Sequence, residues 1–282
     1  MIQPEGNFVE LAYDMDFSVR YGEIGANGVA TLSAVGNWLQ EAAGLSADTL
    51  GFGANDMLPL GKTWILARLV LRIVRLPVAE EHLRVHTWPS TLDHFGTRGY
   101  EIYDAEGRLI LSGGSAWLVM DIHERSLSSI PEPLADRYPK HPRPCDGFAC
   151  RVIPRLRKET GDSVIRVRCD DLDMNGHVNN TRYLAWLMEA LPQPIYDGSP
   201  NGTLPIPSLV DVTFRSECFP QEELRSLYAP VTPPAGVPAE VMGRKVPHAL
   251  LHSIQRVPDG NEVCRALTLW ETPPDIPYHS SL

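Results

Sequence analysis

A short polar run in the second half of the chain brings together acid, amide and imidazole groups. Residues 171–180 read DLDMNGHVNN, and Asp173, Asn175 and His177 alternate within it. A carboxylate can activate water or attack a carbonyl carbon, and amide and imidazole donors can polarise that carbonyl. An apolar helical periodicity follows the run, so free backbone N–H groups and a helix dipole would also be available to an oxyanion. This pattern favours acyl transfer, although the same residue types also shape turns and cap helices.

A second polar pair, Glu217 and Cys218, ends the alternating segment VDVTFRSEC at 210–218. Strict alternation places Glu217 on the polar face of this strand and Cys218 on its apolar face, in the core. A bulge at Ser216 would remove that distinction. A papain-like Cys–His–Asn set, with Cys218 as the nucleophile, is the alternative.

Two histidine pairs, His82 with His86 and His248 with His252, raise the question of a metal site. Both pairs lie in strand-like segments, where a spacing of four follows from side-chain alternation, and neither has a third ligand nearby. The five cysteines are scattered without CxxC spacing, which disfavours a zinc site and a disulfide framework. We expect no metal and no cofactor.

The elements that must position these residues follow the same order in each half. Helical spacing predicts a helix over 32–45, capped by Thr31 or Ser33, and a second helix capped by Asn179 or Asn180. Alternation and turn signals predict strands at 63–75, 82–88, 97–104 and 108–121, and again near 208–217, 223–229, 241–256 and 262–270. In the first strand, Ile65, Ala67, Leu69, Leu71 and Ile73 would share one face.

The two halves also align residue by residue. A shift of 148 places Trp38 on Trp186, and a shift of 143 places Arg72 on Arg215. These shifts map Asp173, Asn175, His177 and Glu217 onto Gly25, Asn27, Val29 and Val74. Three of the four polar groups are therefore absent from the first half, which predicts a catalytically degenerate copy.

Proline clusters in 131–160 and breaks both periodicities, which indicates a linker. We place an N-terminal domain at 1–140 and a C-terminal, catalytic domain at 150–282. With 282 residues, two domains agree with ordinary domain sizes, and one large domain is the alternative.

The segment DLDMNGHVNNTRY, 171–183, with Trp186 and the EALP sequence that ends at Pro192, closely resembles the signature of plant and bacterial acyl-acyl-carrier-protein thioesterases. The strand at 210–218 is similar to the family's strand ending in Arg-Glu-Cys, except that Ser216 precedes Glu217. The order of elements matches over almost the whole chain, with EIG at 23–25, EA at 41–42 and GFG at 51–53 in the first half.

The resemblance implies an α+β fold, a tandem or double hot-dog with two antiparallel sheets, each wrapping a long helix. It also implies a catalytic set of Asp173, Asn175, His177 and Glu217. Glu217 would be the base for water, and Asp173 would either orient His177 or attack the thioester directly. Asn175 and the N–H groups at the helix start would form the oxyanion site.

The implied activity is hydrolysis of fatty acyl-acyl-carrier-protein thioesters to free fatty acid and carrier protein, which ends fatty acid synthesis. The first half would form the acyl pocket, including Trp64 and Met57. An acyl-coenzyme A thioesterase is an alternative with nearly the same motif. A hot-dog dehydratase and a non-catalytic acyl-binding regulator are further alternatives, disfavoured because all four polar residues are present.

The net charge of −10 disfavours nucleic acid as a partner. Cations nevertheless outnumber acids over 137–168, where Arg155, Arg157 and Lys158 are candidates for docking an acidic carrier protein, with a solvated linker as the alternative. The acidic start of the chain does not resemble a signal peptide, and the apolar stretch at 64–74 falls short of the roughly 20 residues of a membrane span. We expect a cytoplasmic protein without membrane contact. The sequence is compatible with a homodimer.

Overall fold

A computed structural model describes residues 11–92, 95–135, 143–191 and 206–272 of the chain. The domain limits expected at 1, 140 and 282, Pro192 of the EALP sequence and the middle of the linker expected at 131–160 lie outside these residues.

One antiparallel sheet is the main element. Within the described residues it contains eleven strands. They are β1 (Tyr13–Ser18), β2 (Lys62–Ile73), β3 (His82–Leu92), β4 (Gly96–Asp104), β5 (Leu109–Asp121), β6 (Ser126–Ser128), β7 (Gly161–Arg166), β8 (Leu209–Phe214), β9 (Glu223–Val231), β12 (His248–Arg256) and β13 (Glu262–Trp270). The strands β10 (Glu240–Val241) and β11 (Arg244–Lys245) form a separate hairpin.

The order across the sheet is β1-β3-β4-β5-β2-β8-β13-β12-β9-β7, with β6 paired to β5. The two halves meet where β2 pairs with β8, and Leu69 lies opposite Val212 at this seam. Each side of the seam repeats the same sequence of strands outward, which confirms the repeat found in the sequence. The two sheets that the resemblance implied are thus joined edge to edge into one.

Two helices cover one face of the sheet. Helix α1 is Leu32–Leu50 and helix α4 is Asn180–Glu189; two single-turn helices, α2 (Ala54–Met57) and α3 (Glu132–Ala135), lie in connections. Thr31 caps α1 by accepting from Ala34 N, and Gly51 ends it with φ 73°, a left-handed conformation that suits glycine. No helix of the described residues has the length and apolar character needed to cross a membrane.

The sheet has apolar residues on both faces. Leu69, Leu71, Val210 and Val212 pack with α1 and α4 in the larger cluster of the core. Val70, Leu209, Leu267 and Leu269 point to the opposite face, where Ala149 and Ile153 of the segment between the halves cover them. The described part of the connecting segment around Ala149 and Ile153 therefore lies on the outer face of the sheet, away from the helices.

Two predicted strands differ from the structure. In β2 the register shifts between Leu66 and Arg68, so Leu66 is buried and Ile65 and Ala67 are only half-buried. The predicted shared face was therefore wrong for Ile65 and Ala67, because a bulge inverts the alternation. The strand predicted near 241–256 begins only at β12, since positive φ at Met242 and Gly243 makes the tight turn of the β10–β11 hairpin.

Candidate active site

The polar run forms a closed loop before α4. Asp173 N donates to the carbonyl of His177 at 2.8 Å, and Gly176 turns the chain with φ 79°. The first half has the same loop before α1, where Gly25 N donates to the carbonyl of Val29 at 2.9 Å and Gly28 has φ 76°. One isolated bridge closes each loop, Ile24–Ala30 in the first and Leu172–Val178 in the second. The two halves thus share this backbone, and only the second carries the acid and the imidazole.

His177 and Glu217, two members of the set that the resemblance implied, lie next to each other. Nδ1 of His177 lies 3.4 Å from Oε1 of Glu217, and the two side chains are 22% and 31% exposed. Phe219 packs edge to face on the imidazole with a centroid distance of 5.2 Å. The imidazole of His177 is therefore held by Glu217 on one side and by Phe219 on another. Both polar side chains are still accessible to a substrate and to water.

Glu217 is also held by two arginines that the sequence analysis missed. Arg125 Nη2 donates to Glu217 Oε2 at 2.6 Å, and Arg256 donates to the backbone carbonyl of Glu217 and to Ser216 Oγ. Arg125 belongs to the first half, in the turn between β5 and β6, and Arg256 ends β12. No local pattern in the sequence links either arginine to Glu217, because both contacts arise only when the strands assemble.

Asp173 contacts the loop backbone. Its Oδ1 accepts from Asn175 N at 2.8 Å and from His177 N at 3.3 Å. The carboxylate thus shapes the loop that presents His177, in agreement with the turn-forming role weighed for it, while the imidazole faces Glu217. The Asn175 side chain is exposed at the tip of the loop.

The start of α4 has fewer free donors than the sequence indicated. Asn179 N donates to the carbonyl of Asp171, Thr181 N to the side chain of Asn179, and Arg182 N to the carbonyl of Asn179. These N–H groups are engaged, so the donors for a developing oxyanion are better sought in the Asn175 and His177 side chains.

Cys218 is fully buried and packs in the larger core cluster. Burial raises the pKa of its thiol to about 11, which the hydrogen bond with Tyr183 only partly opposes. Arg215 N and Ser216 N both donate to the carbonyl of Val263, so the regular alternation ends there. The prediction that Cys218 lies in the core is nevertheless confirmed. A papain-like mechanism needs a Cys218 thiolate, and the raised pKa of the thiol disfavours that form.

Two adjoining cavities run along α1 from the start of α4. The smaller, about 10 Å³, is lined by Gly36, Gln40, Leu66, Trp117, Asn180, Thr181 and Phe214. The larger, about 220 Å³, shares Gln40 and Trp117 with it and continues past Ala43 and Ala47 to Trp64. Trp64 thus lines the cavity, and its Nε1 donates to the carbonyl of Phe52 at 2.9 Å.

Met57 is fully buried in a cluster with Phe52 and Val119, against which Trp64 packs. It therefore lies behind the cavity wall and reaches the cavity only through its neighbours. This position differs from the direct substrate contact that the sequence analysis expected.

The basic residues Arg155, Arg157 and Lys158 are exposed. Ile153, just before them, accepts a hydrogen bond from Arg265, and Leu156 packs in the outer cluster. The segment lies on the sheet face opposite the helices, so the structure does not bring it to His177.

The histidine pairs have protein partners of their own. His82 Nδ1 contacts Ser18 Oγ and His86 Nδ1 contacts Asp14 Oδ1, each at 2.7 Å. His252 Nε2 contacts Thr268 Oγ1 at 2.9 Å, and burial lowers the pKa of this imidazole to about 3. These contacts assign structural roles to the three rings.

Comparisons with known proteins identify the family of the chain. The acyl-ACP thioesterase N-terminal domain matches residues 10–138, and the acyl-ACP thioesterase C-terminal domain matches residues 155–272. Oleoyl-acyl carrier protein thioesterase 1 of Arabidopsis thaliana, a chloroplastic protein, is 28% identical over 94% of this chain and 77% of its own length. A chloroplastic acyl-carrier-protein hydrolase of Cuphea viscosissima is 31% identical over 92% of this chain and 63% of its own length.

Among solved structures, the 12:0-ACP thioesterase from Umbellularia californica superposes with a TM-score of 0.72 at 25% identity, covering 94% of each chain. The fold and the site, together with these matches, define the protein as a thioester hydrolase. The chain belongs to the acyl-ACP thioesterase family.

Proposed function

We propose that the protein hydrolyses fatty acyl-acyl-carrier-protein thioesters to free fatty acid and carrier protein, and so ends fatty acid synthesis. The observation that carries this proposal is the His177–Glu217 pair, 3.4 Å apart at the loop before α4, in a chain of this family. The alternatives of a dehydratase and of a non-catalytic regulator are less well supported, since the curated relatives carry thioesterase or hydrolase names.

In the proposed mechanism Glu217 is the base for the attacking water. His177 contacts Glu217 through Nδ1, and in its imidazolium form, with a proton on each ring nitrogen, it also donates from Nε2 to the thioester carbonyl or to the leaving sulfur. Asn175 is the second donor to the developing oxyanion, where loss of one donor typically costs roughly 100–1000-fold in rate. Asp173 orients His177 through the loop backbone, with direct attack on the thioester as the alternative.

The acyl chain would lie in the larger cavity along α1, with Trp64 near the distal end, and the smaller cavity of about 10 Å³ would have to widen to connect it with the site. From Gly36 to Ala47 the helix advances by about 1.5 Å per residue, roughly 16 Å in all, which sets the length of the path that an extended chain would follow. Ala43, Ala47, Trp117 and Trp64 give the larger cavity a mostly apolar lining.

The division of labour follows from the repeat. We infer a double hot-dog architecture, with an N-terminal domain at 1–140 that holds the acyl chain and a C-terminal domain at 150–282 that carries the catalytic residues. The family's separate N-terminal and C-terminal domain matches, and the mirrored strand order about the β2/β8 seam, support this division.

The carrier protein would dock through exposed cations on the outer face of the sheet. The proposed docking residues are Arg155, Arg157 and Lys158. Docking there would distinguish a carrier-protein enzyme from one that acts on coenzyme A. A cytoplasmic location and a homodimer stay predictions from the sequence.

The decisive experiment is hydrolysis of a matched panel of acyl-carrier-protein and acyl-coenzyme A thioesters of varied chain length, with free fatty acid as the readout. We expect a higher kcat/KM for the carrier-protein thioester at each chain length. Equal or better turnover of the coenzyme A thioesters would favour the alternative, and hydrolysis of neither would overturn the proposed function.

A further inference from the structure

The first half contributes one charged side chain to the site of the second. Arg125 Nη2 lies 2.6 Å from Glu217 Oε2, while His177 Nδ1 lies 3.4 Å from Oε1 of the same carboxylate. The two oxygens of Glu217 therefore face different partners, a guanidinium on one side and an imidazole on the other. A carboxylate held at both oxygens has one orientation, whereas a glutamate held at neither samples several rotamers.

The turn that carries Arg125 is built for a fixed position. Asp121 Oδ1 accepts from His123 N at 2.9 Å and from Glu124 N at 3.0 Å, and β6 returns to pair with Val119–Asp121 of β5. Arg125 itself has φ 48°, a left-handed conformation that few residues other than glycine adopt. Such conformations persist where the surrounding structure enforces them and often occur at functional sites.

The backbone of Glu217 is fixed separately. Arg256 donates to the Glu217 carbonyl and, through Nη1, to Ser216 Oγ at 3.2 Å, and its Nε contacts the Glu222 carboxylate at 3.3 Å. Removing Arg125 would thus free the carboxylate while the chain at Glu217 stays in place. The ion pair is also largely exposed, with Arg125 58% exposed, and exposed pairs add little to stability. A contact of this kind is poorly suited to stabilising the fold.

We propose that Arg125 is a positioning residue of the active site, which holds the Glu217 carboxylate so that its other oxygen faces His177 and the attacking water. This inference rests on the proposed function, in which Glu217 is the base. It also gives the catalytically degenerate first half a direct part in the reaction: the site is complete only when β5 and β6 of that half lie beside the loop at 215–219.

The test compares Arg125→Gln, Arg125→Lys and Arg125→Ala with wild type, each on an acyl-carrier-protein thioester and on the matching acyl-N-acetylcysteamine thioester. We expect Arg125→Gln and Arg125→Ala to lower kcat about 10- to 100-fold on both substrates, since small misplacements of a catalytic group cost rates of this order. KM and Tm should change little, and Arg125→Lys should recover part of kcat because it keeps the cation. Arg84→Ala, which removes a similarly exposed ion pair of the first half, is the matched control.

A double-mutant cycle tests whether Arg125 acts through Glu217. In a Glu217→Gln background, Arg125→Gln should lower kcat no further, because the group that it positions is already gone. Additive losses, an unchanged kcat in the single variants, or a rise in KM confined to the carrier-protein substrate would each overturn the inference; the last would make Arg125 a docking residue. A wild-type protein that hydrolyses neither thioester would instead overturn the proposed function.

Discussion

Arg68 and Asp211 occupy equivalent positions of the two halves and form an ion pair with each other across the seam of the sheet. Nε and Nη2 of Arg68 lie 2.8 Å from Oδ1 and Oδ2 of Asp211, and the aspartate side chain is fully buried. Arg68 also donates to the carbonyl of Cys150, and Asp211 Oδ2 accepts from Ala149 N at 2.7 Å. The two equivalent positions have thus diverged to opposite charges. The resulting ion pair joins the two halves and holds the backbone at Ala149 and Cys150.

The first prediction concerns this pair. Asp211→Ala leaves the part-buried Arg68 guanidinium without its carboxylate, and we expect the free energy of unfolding to fall by about 3–5 kcal/mol. Urea denaturation measures the loss. The double variant Arg68→Met with Asp211→Leu should be clearly more stable than Asp211→Ala, because it removes both charges. A loss under about 1 kcal/mol in Asp211→Ala would mean that the pair does not join the halves energetically.

The second prediction concerns the acids of the site. Glu217→Gln and Asp173→Asn should each lower kcat at least about 100-fold, with Tm little changed, as expected for a base or nucleophile and for a residue that orients the site. Steady-state release of fatty acid measures this effect. Glu240→Gln, at an exposed position of β10, is the control. Near-wild-type turnover in either acid variant would remove the role proposed for that residue.

The third prediction concerns Cys218. With a thiol pKa of about 11, the thiolate becomes populated only as the pH approaches that value, so at neutral pH the thiol stays protonated. Cys218→Ala should therefore keep substantial activity. Iodoacetamide at neutral pH should modify the exposed Cys169 and leave Cys218 intact, as read by peptide mass spectrometry. An inactive, well-folded Cys218→Ala protein together with a trapped acyl-cysteine would reverse the assignment.

The fourth prediction concerns chain length. Trp64→Ala enlarges the distal end of the cavity along α1 and should shift preference towards longer acyl chains, whereas Ala43→Leu narrows it and should shift preference towards shorter ones. Competition between acyl-carrier-protein thioesters of different length measures the shift. Met188→Ala, in the second half and away from this cavity, should leave the preference unchanged. A profile that responds only to second-half variants would place the acyl chain elsewhere.

The fifth prediction concerns carrier docking. Reversing the charge of Arg155, Arg157 and Lys158 together should raise KM for an acyl-carrier-protein thioester and leave a small thioester unaffected. Added salt should shrink the difference, because exposed charges are screened over about 8–10 Å. Lys245→Glu, an exposed cation of β11, is the control. Equal KM changes for both substrates would show that the segment does not dock the carrier.

The sequence by itself determined the local features. The two long helices and most strands followed from apolar periodicity, the caps at Thr31 and Asn179 from residue type, and the repeat from shifts that keep tryptophan and arginine in register. The strands β1 and β6 were not predicted. The run at 171–180 placed the polar groups before α4, because a loop of that composition folds through contacts among near neighbours.

The tertiary structure decided which distant groups meet. The bulge in β2, the joining of the two sheets at the β2/β8 seam and the contact between Arg125 and Glu217 all depend on strand pairing over long separations, which no local pattern encodes. The pairing register of a strand decides which face of the sheet each side chain occupies. The one extra residue of the β2 bulge therefore places Leu66 in the core in place of Ile65. The same assembly places a cation of the first half, Arg125, against a carboxylate of the second, Glu217, and only the folded chain shows this contact.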